Sequence, residues 1–156
     1  MQKPKLLRQA IERALPEIAE NPEKLTMFVQ QGTISSNKGT LSHSKNYTLT
    51  LLITDFTSDL DVLETAVIHW LQIHQPDILG AGQTEQNSFQ FDVDILNHDS
   101  ADVLYQLKLS ERVVVLRDEQ TEELHISHAA EVHAIQDLTG DFGKIWGKSE
   151  NWIAQS

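Results

Sequence analysis

The chain has 156 residues, enough for one domain whose core needs no covalent staples, and 40% of them are hydrophobic. It contains no cysteine, which excludes disulfides and thiolate metal sites. Its formal net charge of −11, from 12 basic and 23 acidic residues, argues against a surface built to grip nucleic acid. Lys3, Lys5 and Arg8 are followed by no apolar run of signal-peptide length, and no stretch is long enough to span a bilayer, so assembly in the cytoplasm is expected. The charge is unevenly spread. Residues 1–45 hold seven basic and four acidic side chains, residues 46–107 hold ten acidic and no basic ones, and residues 108–156 hold five basic and nine acidic. The middle stretch reads either as a solvated acidic face or as one of two oppositely charged surfaces of a subunit that stacks head to tail in a ring. An acidic surface lining a channel would also let DNA slide without sticking.

Leu6, Leu7, Ala10, Ile11, Ala14, Leu15 and Ile18 recur at helical spacing. Pro4 suits the first turn, and Pro16 predicts a kink or break because it lacks an amide hydrogen. Asn21-Pro22 ends the segment. Residues 24–30 read as a strand with Leu25, Met27 and Val29 on one side. Residues 32–46, rich in Ser, Gly, Asn and Thr, read as a long loop with ragged strand ends, and Lys38 and Leu41 within it are candidate contact residues. Tyr47, Leu49, Leu51 and Ile53 share one parity opposite threonines, the pattern of a half-buried strand.

Ser58 or Asp59 can cap a second helix, with Leu60, Leu63, Val67, Trp70 and Leu71 on its apolar face, and Gln75-Pro76 stops it. After a polar loop, Phe89, Phe91, Val93 and Ile95 alternate with Gln90, Asp92 and Asp94. A turn at 97–100 leads to a partner strand through Val103, Tyr105, Leu107 and Leu109. That strand continues through Val113, Val114, Val115 and Leu116, apolar on both parities, which predicts cover on both faces and marks Val113 and Val115 as subunit contacts. Residues 118–123 form a charged turn, and Leu124 and Ile126 a short return strand. Beyond His128 the pattern weakens, yet Phe142, Ile145, Trp146, Trp152 and Ile153 are more apolar bulk than a disordered tail needs. This segment either folds back on its own domain or is an arm whose Phe142, Trp146 and Trp152 anchor on a neighbour. The expected fold class is α+β: a single domain with a mainly antiparallel sheet and two helices on one face.

Chemistry finds little support. His69 and His74 are five apart, not the four that suits a metal-binding helix face, and His125 and His128 have opposite strand parity. Asp92, Asp94, Asn97, His98, Asp99 and Asp102 form the best divalent-cation candidate, but they equally describe the polar face of a strand and its turn. No nucleophile elbow, triad order or phosphate-binding glycine loop is present.

The order of segments, with the strings at residues 3–11, 21–34, 47–57, 70–78, 89–94 and 107–112, resembles the tail completion protein R family of temperate, contractile-tailed phages. The likeness covers residues 1–117, and no single string carries it. It implies a tail-terminator-like domain at 1–128 and a C-terminal extension or arm at 129–156. It implies a virion protein at the head-proximal end of the tail, with no catalytic residues and no cofactor or metal to transfer. By analogy with related terminators it implies a ring, a hexamer, that binds itself, the tail tube protein and neck or head-completion proteins. The sheath is a further candidate partner, and DNA passes through without specific binding. Asp92 and Asp94 are then candidate lumen-facing acids. The alternatives are another neck or baseplate adaptor, or a metal-dependent hydrolase built on the Asp92 to Asp99 turn.

Overall fold

A computed structural model of the chain describes residues 1–79 and 88–129. Helix α1 (Lys3–Ala14) is broken at Leu15 and followed by the short α2 (Pro16–Glu20), the outcome expected of a proline at the first position of a new turn. A 3₁₀ turn leads into β1 (Leu25–Ser36), then β2 (His43–Phe56), α3 (Leu60–His74), a second 3₁₀ turn, β3 (Phe89–Ile95), β4 (Ala101–Arg117) and β5 (Leu124–His128). All pairings are antiparallel, in the order β1-β2-β4-β3, and β5 also pairs with β4.

Alternation sets the two faces. Leu25, Tyr47, Leu49, Leu51, Ile53, Val103, Tyr105, Leu107 and Leu109 face one way and are buried against α1 and α3. The helices contribute Leu7, Ile11, Leu63, Val67, Trp70 and Leu71 to the same core. Asp59 caps α3, its side chain accepting from the Asp61 amide at 2.8 Å, which is one of the two residues expected to do so. The other face of the sheet carries Thr48, Thr50, Gln90, Asp92, Asp94, Gln106 and Lys108.

Residues 32–46 are not the long loop that their composition suggests. Both strands continue through them, and only 37–42 connect β1 to β2. Thr, Ser and Asn pair here because the neighbouring strand β4 runs alongside for the same length. A bulge at Gln31 and Gly32, with Gln31 at φ 52°, puts two residues of β1 opposite one of β2 and reverses the parity, so that Ile34 joins the helix-side face.

Glu17 ties the helices to the sheet. Its carboxylate accepts from the amides of Thr57 and Ser58 and their hydroxyls, and pairs with Lys24 Nζ at 2.7 Å. Burial by itself raises the Glu17 carboxyl, but the bonds from Lys24, Ser58 and Thr57 outweigh it and hold the group at about 2. A carboxyl depressed in the folded state contributes stability that is complete above its ordinary value near 4.5 and is lost as pH falls toward 2. The melting temperature is therefore expected to fall across that window. In Glu17→Gln the fall should be shallower, read by circular dichroism, and an identical slope in both proteins would remove Glu17 as its source.

Candidate assembly surface

The edge of β4 away from β2 is shared by two strands, with β3 on residues 101–107 and β5 on residues 113–117. The gap between them exposes backbone groups that must find partners. The Lys108 amide donates to Ser88 O at 2.9 Å, and the Ser110 amide donates to the Gln75 side chain at 3.0 Å. The Ala129 amide donates to Arg112 O at 2.9 Å. Gln75, at the end of α3, thus stands in for a missing strand, and its Oε1 also accepts from Lys3 Nζ at 2.6 Å.

Glu111 lies in this gap, 4% exposed, at an inward position of the alternating strand. Its carboxylate accepts from the Tyr47 hydroxyl at 2.7 Å and from the amides of Lys3 and Gln2 at 3.0 and 3.2 Å. It is the acceptor that α1 lacks from its own cap residue, and the helix N-terminus favours the negative charge. Burial alone raises the Glu111 carboxyl, but the bonds from Tyr47, Lys3 and Gln2 bring it below the usual carboxylate range. His128 Nε2 stands 3.6 Å from Oε2, the oxygen that also accepts from the Gln2 amide. Sequence reading missed Glu111, although a charged residue in the inward register between Leu109 and Val113 was the available signal.

Beyond Glu111 the strands run on as a ribbon formed by residues 33–36, 43–46, 110–117 and 124–128. Among the described residues no helix covers it. Ile34 and Ile126 are each 70% exposed, and Leu41, Leu116 and Leu124 are exposed as well. Four candidate contacts fall here. Lys38 and Leu41 lie in the exposed connecting turn, and the Val115 amide donates to Ser42 Oγ at 3.0 Å, so this turn and the end of β4 meet at one tip. Cover on both faces was expected of residues 113–116, but only Val113 is buried. Val115 is half-buried because the helix layer ends at Glu111, and Leu116, of the opposite parity, is exposed on the face that no helix covers. Phe142, Trp146 and Trp152 lie outside the described residues, as do residues 80–87 of the stretch 80–88 expected to be a polar loop.

Asp92 and Asp94 sit far from the ribbon, opposite Leu104 and Asp102 near the start of β4. Both are exposed on the face away from the helices. Asp102 accepts from the Asp55 amide at 2.8 Å, while Asn97 organises the turn by accepting from the amides of Asp99 and Ser100. His98 and Asp99 are exposed in that turn. Among the described residues no three histidine, aspartate or glutamate side chains gather into a metal-binding group.

Removing the Glu111 carboxylate strands three donors, so Glu111→Ala is expected to lower unfolding free energy by about 3 kcal/mol. Tyr47→Phe should cost about 1 kcal/mol, since the carboxylate keeps its amide donors. Urea titrations of the two variants would check the order, and equal losses would mean the hydroxyl contributes as much as the carboxylate.

The sequence of this chain is matched over residues 1–132 by the family model described as P2 phage tail completion protein R (GpR). Among curated proteins, it is similar to Tail completion protein R of Escherichia phage P2. The two are 39% identical over 132 residues, covering 84% of each chain. No solved structure matches it. The chain therefore belongs to the P2 phage tail completion protein R family.

Proposed function

We propose that the protein closes the head-facing end of a contractile phage tail as one subunit of a ring, working through shape and charge complementarity without bond-making chemistry of its own. Its family membership gives it a structural role in tail completion. The observation that carries the finer reading is the pair of open sheet edges. Among the described residues β1 and β3 have no outer partner strand. From Leu25 through Thr54, the region of β1 and most of β2, the only charged residues are Lys38 in the connecting turn and Lys45 on β2. The region of β3 and its turns, from Asp77 to Asp102, carries six acidic side chains and no lysine or arginine. An edge of one sign beside a neighbour's edge of the other builds a head-to-tail contact, and such a contact closes into a ring when its rotation allows.

In that arrangement the ribbon reaches past the body of the subunit, and Lys38, Leu41, Val113 and Val115 mark its contact with the next copy or with the tail tube. The helices face outward, and the sheet face with its threonines, glutamines, Asp92 and Asp94 turns to the passage. Such a polar surface, on which Lys108 and Arg112 are basic exceptions, would let DNA pass without capture. The domain at 1–128 forms the ring body and 129–156 an extension.

Native mass measurement of the purified protein with tube protein is expected to give a closed oligomer, hexameric by analogy with tail terminators. Ile126→Glu, on an exposed strand position, should leave the melting temperature within about 2 °C while reducing oligomer at least tenfold. Persistent monomers of the unaltered protein, together with normal tails from a phage lacking it, would defeat the proposal. Changing Asp92→Lys and Asp94→Lys together should slow DNA ejection while leaving tails visible by electron microscopy. Unchanged ejection would place both carboxylates on an outer, solvated face.

A further inference from the structure

A groove of about 350 Å³ runs between α1 and α3 on the side of the helices away from the sheet. Ala10, Ala66, Trp70 and Ile73 line it with apolar surface, and exposed Gln9 and Arg13 stand at its margin. Ala66 and Trp70 are buried, and the two alanines leave room between the helices. The Trp70 indole N–H is buried and meets no acceptor among the described residues. Native proteins rarely leave such a donor unsatisfied, so a further group belongs beside it.

We propose that residues 142–153 of the chain's own C-terminal segment occupy this groove. Three observations converge on that occupant. The first is spacing. Phe142, Ile145, Trp146, Ser149, Trp152 and Ile153 recur at intervals of three and four, which at helical periodicity gathers them within an arc of about 120°. Gly140, Gly143 and Gly147 lower the intrinsic helix preference of this stretch by about 1 kcal/mol each relative to alanine, so it needs a surface to order it. A stripe of this kind laid between two helices is a common mode of recognition.

The second is the place where the described chain ends. The Ala129 amide is bonded to Arg112 O, next to Glu111, which holds the N-terminus of α1. Lys3 Nζ bridges to Gln75 at that same end. The segment therefore departs at the end of the helix pair where the groove opens, and residues 130–141 can span up to about 40 Å. Tethering at that distance favours the chain's own groove over a neighbour's through effective concentration.

The third is charge, and it concerns the lead-in alone. Residues 130–141 carry Glu131, Asp137 and Asp141 and no lysine or arginine, while α1 exposes Lys5 and Arg13. The family match ends at residue 132, so the aromatic stripe lies outside the part of the chain that the family model covers. The proposal does not depend on ring formation.

The absence of cysteine makes the test direct, because only introduced thiols react. The full chain carrying Gln9→Cys and Ser149→Cys is treated with a short bismaleimide and analysed by denaturing electrophoresis and peptide mass mapping. A bridge within one chain is expected, at least tenfold more abundant than in two control pairs that join Ser149→Cys to Gln106→Cys on the far sheet face or to Ile126→Cys on β5. Equal or greater bridging in either control overturns the proposal, as does its absence from the Gln9 pair. Bridges that join two chains overturn it too, in favour of a second copy as occupant.

Discussion

The buried carboxylate of Glu111 holds three parts of the chain together. It accepts from a tyrosine on β2 and from two amides at the start of α1, while sitting itself in the middle of β4. Taking a charge out of water costs several kcal/mol unless donors replace the lost hydration. Here those donors come from separate elements, and the positive end of a helix adds to them. The consequence is positional. On one side of Glu111 the sheet is backed by helices and forms the core; on the other it continues as an uncovered ribbon. Ile34, Val115 and Ile126 are accessible because the helix layer stops where this carboxylate anchors it.

The same boundary is reinforced on either side. The bulge at Gln31 and Gly32 reverses the parity of β1 near the end of the covered region, and Gln75 supplies an acceptor where β4 has no neighbouring strand. Glu17 does a comparable task at the opposite end, joining α2 to the turn before α3. Two buried or partly buried glutamates thus fix the helices at both ends of the sheet. The cost of ordering the ribbon without a core of its own is met by backbone pairing with β4, which is long enough to serve both regions. A protein that completes a larger assembly has use for such a division. In the assembly proposed above, the helix-backed body supplies the core and the projecting surface gains cover from partners.

Much of the fold was legible in the sequence. The inward residues of β2 and β4, the apolar face of α3, the cap at Asp59, the break at Pro16 and the β3–β4 hairpin all follow from short-range periodicity and turn chemistry, which act within a few residues. The α+β class and the family likeness were equally within reach. The site was less so. Residues 32–46 read as a loop because their composition is polar, and nothing local shows that β4 extends far enough to pair with them. Val113 and Val115 were identified from apolar character alone, which could not say which of their faces a helix would leave bare.

What the sequence determined by itself was each element's period, its ends and the separation of basic and acidic segments along the chain. Tertiary structure alone decided that Glu111, Gln2, Lys3 and Tyr47 meet, since 64 to 109 residues separate them from the glutamate in sequence. It also decided that β3 and β5 share one edge of β4, and that the basic and acidic segments come to border opposite edges of one sheet. Periodicity reports which way a side chain points relative to its neighbours along the chain. Which distant donor a buried carboxylate finds depends on how the layers pack, and only the assembled fold contains that information.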